Sequence, residues 1–288
     1  MSDRTTVALL GTGTMGAGMA RNLAAAGFDL RVWNRSHAKA KALEDAGARA
    51  SETPAEAVDG ADVVITMVWD ADAVASVLDA AAQRLRPGTL WIQAGTVGVD
   101  GAERLAGVAE RLRLVYVDAP VLGTRQPAED GTLVILASGP DDVRDRCAPI
   151  FEAIGSRTLW LGEAGTGSRL KLVANAWVLT VIEGIAECFT LAGSLGLDPA
   201  LFLEAVRGGA MDAPYLGMKG NAILSGDYTP AFTLSGAAKD AGLILDAARA
   251  AGADMGVFER AREHLDRAVA AGHGELDMAA TFLAHQRS

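Results

Sequence analysis

Three groups of residues have the types and spacing for chemistry. Between Leu170 and Ile182 the only charged residue is Lys171. Gly167, Lys171 and Asn175 recur at i, i+4 and i+8, so on a helix they share one face as a small residue, an amine and an amide. A buried amine is a proton donor and acceptor: desolvation lowers a lysine pKa from about 10.4 toward neutrality and eases transfer to an oxygen that is gaining negative charge. A lone lysine in an apolar helix commonly snorkels to water; the aligned Asn175 and the opening Gly165-Thr166-Gly167 weigh toward chemistry. The second group is Gly11-Thr12-Gly13-Thr14-Met15-Gly16, a G-x-G-x-x-G run. Its first glycine permits a tight turn, its second a close approach of backbone to a pyrophosphate, and its third a close packing of helix on strand. The third group is Asn34-Arg35-Ser36, where a site for NAD usually carries Asp or Glu to hold the ribose 2′-hydroxyl. No carboxylate stands there to repel a 2′-phosphate, Arg35 can pair with it, and Ser36 can donate to it or cap the following helix. The cofactor this predicts is NADP(H).

The glycine run means little without the elements that hold it. Thr6–Leu10 reads as a buried strand, residues 17–26 as a helix closed by Gly27, and Asp29–Trp33 as the next strand, which is the context the fingerprint requires. Further strands are predicted over 63–68, 89–93, 114–117, 132–137 and 157–161. Helices are predicted from Pro54 (capped by Thr53), over 70–85 and over 141–154. In open α/β sheets ligands lie at the carboxyl ends of strands, which puts Met67, Val68 and Thr96 near the cofactor; as alternatives the first two are plain core and Thr96 a helix cap. Beyond the Lys171 helix, helices are predicted over 199–208, 215–224, 234–251, 257–271 and 277–286, with no strand signal. The fold class is therefore α/β: an N-terminal Rossmann-type, doubly wound parallel sheet followed by an all-α C-terminal domain, joined by a long helix. The division is expected at 1–163, a nucleotide-binding domain, and 164–288, a helical domain for substrate and oligomerisation.

The 288 residues carry a net charge of −10, which argues against nucleic acid or an anionic membrane as partner. Cys147 and Cys188 make no disulfide framework and suit a reducing, cytoplasmic setting. The N-terminus runs into an apolar strand without a signal-peptide layout, and no apolar run is expected to reach membrane-spanning length. His37, His264, His273 and His285 lie outside every motif, and no His/Cys cluster is legible, so neither a histidine mechanism nor a metal site is expected.

Four separated motifs together resemble the β-hydroxyacid dehydrogenases: the glycine run followed by Met19-Ala20-Arg21-Asn22-Leu23; Asp118-Ala119-Pro120-Val121 with Gly123; Gly167 through Lys171 to Asn175; and Lys239-Asp240. Pro127-Ala128-Glu129-Asp130-Gly131 and Pro230-Ala231-Phe232 are similar to one branch, the NADPH-dependent glyoxylate and succinic semialdehyde reductases. The resemblance implies that Lys171 is the catalytic acid/base and that Asn175 orients the substrate. It implies that Thr96 contacts the nicotinamide end, that Lys239 contacts the cofactor, and that Phe232 and Asp240 stand beside the substrate. It also implies a C-terminal domain like that of 6-phosphogluconate dehydrogenase, and a homodimer or homotetramer.

The chain departs from that pattern twice. Leu122 replaces the serine of the usual D-A-P-V-S-G-G, and Gly95 replaces a serine that often precedes Thr96. What remains to hold a small carboxylate is the Gly123 N–H, Thr124 and Arg125, so a bulkier aldehyde or semialdehyde is expected to compete with a small hydroxyacid. Two alternatives stand beside this reading: an imine reductase of the same architecture, which Leu122 favours and Lys171 disfavours, and a non-catalytic NADP(H)-binding scaffold.

Overall fold

The computed structural model describes residues 4–285. They fall into two compact units, the first ending at Lys171 and the second starting at Leu172. The first unit runs β1 (Thr6–Leu10), α1 (Thr14–Ala25), β2 (Asp29–Trp33), α2 (His37–Lys41), β3 (Arg49–Ala50), α3 (Pro54–Val58), β4 (Val63–Thr66), α4 (Ala71–Ala81), β5 (Leu90–Gln93), α5 (Val99–Leu112) and β6 (Val115–Asp118). β7 (Val121–Leu122), α6 (Arg125–Glu129), β8 (Leu133–Ala137), α7 (Arg144–Ile154) and β9 (Gly155–Trp160) follow. α8 (Thr166–Ser194) then carries the chain from one unit into the next.

The main sheet has six parallel strands in the order β3-β2-β1-β4-β5-β6, so the strand order reverses between β1 and β4, where doubly wound sheets bind ligands. The period of two along β1 feeds two cores. Val7 and Leu9 pack with α1 and α7 on one face, Ala8 and Leu10 with α3, α4 and α5 on the other. Burial on both faces explains why β1 and β4 read as unbroken apolar runs. A smaller sheet, β7-β8-β9, pairs β7 antiparallel and β9 parallel to β8.

The Rossmann-type sheet and the helical second half agree with the fold read from the sequence. The helix expected over 70–85 is shorter, because Asp70 caps it by accepting from the Ala73 N–H at 2.8 Å and the helix ends at Ala81. α5, amphipathic but rich in charge, and the two-residue strands β3 and β7 are additions to the elements that the sequence pattern predicts.

The second unit holds the rest of α8 with α9 (Ala200–Val206), α10 (Pro214–Ser225), α11 (Leu234–Ala251) and α12 (Gly256–Ala268). α12 ends three residues before the expected 271, because the chain passes into a wide turn with Gly272 at φ 92°. The last expected helix is a 3₁₀ segment, Met278–Ala284, capped by Asp277; its expected end, Gln286, lies outside the described residues. Asp277 is also the hub of this corner. It pairs with Lys219 at 2.7 Å, both side chains buried, and accepts from the Ala231 and Phe232 N–H groups at 3.0 and 3.3 Å. A buried charge is tolerable only when paired and hydrogen-bonded in this way.

One expectation is corrected. α8 has 29 residues and a mean hydropathy of 1.5 over its most apolar window, long and apolar enough to cross a membrane by length and composition. A helix packed within a globular domain meets the same criterion, and 44 % of that window is buried by the chain itself.

Candidate active site

The glycine loop is held by backbone. The Gly11 N–H donates to the Trp33 carbonyl at 2.8 Å, joining the ends of β1 and β2. Gly11 has φ 109°, and a Cβ there would stand 2.2 Å from the Met67 carbonyl oxygen; a Cβ on Gly16 would stand 1.9 Å from the Gly11 oxygen. Gly13 differs, since a Cβ would meet nothing within 4 Å. Its side of the loop is open, and it stands at the N-cap of α1, which has no capping side chain and no acidic residue in its first turn. The Thr12 hydroxyl beside it is buried and finds no partner among the described residues. Free N–H groups, an open approach, no carboxylate and an unsatisfied hydroxyl fit the pyrophosphate of a dinucleotide.

At the end of β2, Asn34 accepts from the Thr12 N–H and donates to the Ser36 carbonyl, both at 3.2 Å, so its amide fastens the glycine loop. Arg35 is exposed, and no hydrogen bond or ion pair within the described residues engages its guanidinium. Ser36 occupies the N-cap of α2 without a capping bond from its side chain.

At the ends of β4 and β5, Met67, Val68 and Thr96 are all partly buried. The cap position of α5 is Gly98, not Thr96. Gln93 ties this loop down, accepting from the Gly95 N–H at 2.9 Å and donating to the Gly95 carbonyl at 2.8 Å. A Cβ on Gly95 would lie 2.9 Å from the Val68 carbonyl, so a serine there has no room without a shift.

The segment after β6 carries Leu122, Gly123 and Thr124. Leu122 pairs with Val134 of β8 and is partly buried, Gly123 adopts φ 123°, and the Thr124 hydroxyl makes no capping bond to α6. α6 is pinned to α1, because a Cβ on Gly18 would sit 2.6 Å from the Ala128 carbonyl, and Asn22 donates to that carbonyl at 2.9 Å.

Lys171 Nζ donates to the Val121 carbonyl at 2.8 Å and is partly buried. The start of its helix is locked to the sheets by a buried carboxylate. Asp118 accepts from the Ser168 N–H at 2.8 Å, the Ser168 hydroxyl at 2.7 Å and the Ser138 hydroxyl at 3.2 Å, and that hydroxyl in turn accepts from the Gly167 N–H at 2.9 Å. Burial pushes the Asp118 carboxyl above the usual range, while the bonds from Ser168 and Ser138 pull it back. Gly167 is required for the approach, since a Cβ would lie 2.1 Å from the Leu136 carbonyl oxygen. Asp118, Ser138 and Ser168 thus position the start of α8; Asp118 belongs to the second motif, but nothing local in the sequence reveals a partner 50 residues away.

In the second unit, Asn175 Nδ2 donates to Asp240 Oδ2 at 2.7 Å, and Lys239 Nζ pairs with Asp240 Oδ1 at 2.9 Å. Phe232 is partly buried, held through its backbone by Asp277, and its ring stands 2.7 Å from where a Cβ on Gly236 would be. The structure joins the expected residues in three sets: the glycine loop with Asn34, Met67 and Val68, and the 121–124 segment with Lys171, both in the first unit, and Asn175, Lys239 and Asp240 in the second.

The expectation that no histidine cluster exists is also corrected. His264 and His285 converge on the carboxylate of Glu183.

The profile of the NAD-binding domain of 6-phosphogluconate dehydrogenase matches residues 6–162, and that of the NAD-binding region of NADP-dependent 3-hydroxyisobutyrate dehydrogenase matches residues 165–284. Glyoxylate/succinic semialdehyde reductase 1 of Arabidopsis thaliana is 33% identical over 283 residues, covering 96% of both chains. The chloroplastic reductase 2 of the same plant is 30% identical over 96% of this chain and 78% of its own. The solved 3-hydroxyisobutyrate dehydrogenase of Mycobacterium tuberculosis with L-serine superposes with a TM-score of 0.88 at 29% identity, covering 99% of this chain and 100% of that one.

Proposed function

The chain belongs to the β-hydroxyacid dehydrogenase family, and from that premise we propose that it is an NADP(H)-dependent reductase of small aldehydes, semialdehydes or the matching β-hydroxyacids, with Lys171 as acid/base. Its relatives make it an oxidoreductase of the class acting on CH–OH groups, with a nicotinamide cofactor. The observation that carries the finer reading is the Lys171–Val121 hydrogen bond at 2.8 Å, which sets the amine beside the Leu122-Gly123-Thr124 segment past the carboxyl end of β6.

Bound nicotinamide supplies or takes up the hydride. The chain's part is to hold that cofactor and manage the proton. The α1 N-terminus, with Gly13 and Thr12, receives the pyrophosphate. Arg35 and Ser36 receive the 2′-phosphate, a reading supported by a guanidinium and a hydroxyl that no hydrogen bond or ion pair among the described residues engages. Met67, Val68 and Thr96 line the approach to the ring. Lys171 donates a proton to the carbonyl oxygen in reduction and accepts it in oxidation. Asn175, steadied by Asp240 and so by Lys239, orients the substrate, with Phe232 beside it. Residues 1–163 serve the nucleotide, and 164–288 serve substrate and assembly.

A homodimer or homotetramer is supported by an apolar stripe along α8 and the residue just past its end: Val173, Trp177, Leu191 and Leu195 are 60–70 % exposed, and the 18-residue offset from Val173 to Leu191 returns to one face after five turns. The net charge supports a small-molecule substrate over nucleic acid or membrane, and the unpaired Cys147 and Cys188 support the cytoplasm. An imine substrate is the second reading, favoured by the apolar Leu122 where a hydroxyl would stand. Purified chain, its mass fixed by light scattering, would be given NADPH with aldehydes and semialdehydes, then with cyclic imines. Turnover of the first set alone is expected. Turnover of imines alone replaces the aldehyde reading, and NADPH binding without turnover of either favours a scaffold.

A further inference from the structure

Two histidines 21 residues apart in sequence meet inside the helical unit on one carboxylate contributed by another element. Glu183 of α8 is buried. His264 Nδ1, from α12, lies 3.0 Å from Glu183 Oε2, and His285 Nε2, just past the 3₁₀ segment Met278–Ala284, lies 3.1 Å from the same oxygen. The rings stand edge to face at 87°, centroids 4.2 Å apart. The other carboxylate oxygen, Oε1, accepts from the hydroxyl of Thr281, which is fully buried. Two ring nitrogens and one carboxylate oxygen thus lie within 4.8 Å of one another, and none of these groups belongs to the machinery assigned above.

We propose that Glu183, His264 and His285 form a site for a divalent transition metal, with Zn²⁺ as the cation that suits it, stapling the C-terminal segment to α8 and α12. Two imidazoles and a carboxylate are a zinc donor set, whereas Mg²⁺ and Ca²⁺ call for oxygen ligands throughout. Tetrahedral ligands at about 2.0–2.2 Å from zinc are about 3.4 Å apart, so the observed 3.0 and 3.1 Å need to open by only a few tenths of an ångström. Thr281 plays the part of the outer partner that orients a ligating carboxylate, holding Oε1 and leaving Oε2 toward both rings. Metal binding uses the lone pairs of His264 Nδ1 and His285 Nε2, so each neutral ring keeps its proton on the opposite nitrogen. Among the described residues no further His, Cys, Asp or Glu joins the group, which leaves the fourth position to water. His264, 17 % exposed, gives the ion its way in.

The test uses the untagged full chain, stripped with a chelator and titrated with Zn²⁺ and with Co²⁺. The expected result is saturable binding of one equivalent per chain, a rise in melting temperature, and the visible bands of four-coordinate Co²⁺ without sulfur charge transfer. His264→Gln and His285→Gln should each weaken binding more than tenfold, and Thr281→Val about 10–100-fold. No saturable binding, equal binding by these variants, a six-coordinate aqua-like spectrum, or charge transfer from Cys188 would each overturn the proposal. The cobalt spectrum of the unmodified chain decides the matter even if a variant does not fold.

Discussion

Gly167→Ala probes how Lys171 is positioned without touching it. The added methyl would stand 2.1 Å from the Leu136 carbonyl oxygen and 3.0 Å from that of Asp118, while real Cβ atoms keep at least 3.0 Å. The start of α8 must therefore retreat by about 1 Å, on a contact made by backbone that cannot swing aside. That movement stretches the bonds at 2.7–2.9 Å linking Ser168 and Gly167 to Asp118 and Ser138 past hydrogen-bonding range. Overpacking costs about 1–3 kcal/mol, and one lost bond to the buried carboxylate adds about 1.5–3 kcal/mol, so a loss of about 2.5–6 kcal/mol is expected. Lys171, one turn further on, moves with the helix start, and an error of about 1 Å in placement costs about 100-fold in turnover. Denaturant unfolding and steady-state kinetics on one preparation read both quantities. Gly184→Ala is the control on the same helix: its Cβ meets nothing within 4 Å, and it should stabilise by up to about 1 kcal/mol. Unchanged stability and turnover in Gly167→Ala would refute the positioning argument.

Two further outcomes concern specificity. Arg35→Ala should weaken NADPH by about 1–3 kcal/mol and leave NADH nearly unaffected, as titration of both cofactors will read; equal affinities in the unmodified chain would dispose of the phosphate assignment. Leu122→Ser should raise kcat/KM for glyoxylate relative to a bulkier semialdehyde, and an unmodified enzyme that already prefers glyoxylate would show that Leu122 is not the gate.

What is local was legible and what is long-range was not. The glycine run could be read because its strand, turn, helix and second strand lie within about 30 residues, each with its own signal. Thr53 and Pro54 start α3 as their chemistry requires, with the Thr53 hydroxyl accepting from the Glu56 N–H at 3.1 Å. Gly167 was visible as a small residue in line with Lys171, but its reason, the Leu136 carbonyl pressed against it, comes from a strand some 30 residues earlier. Gly95 read as a lost hydroxyl, and the structure adds that the Val68 carbonyl leaves no space for one. The histidines carried no motif because Glu183 stands 81 and 102 residues from them, and only the folded helices bring the three together. α5 carries no clear signal in the sequence because its apolar face is diluted by five charged residues.

The most direct measurement is the turnover of Lys171→Met. Methionine keeps the apolar stem and removes the donor, so the bond to the Val121 carbonyl is lost at a cost of about 0.5–1.5 kcal/mol. With Lys171 as acid/base, kcat should fall about 10²–10⁴-fold, while NADPH affinity, which the proposed function assigns to the α1 N-terminus and Arg35, should stay close to that of the unmodified chain. A variant that folds, binds NADPH and turns over aldehyde at a near-normal rate would remove Lys171 from the mechanism.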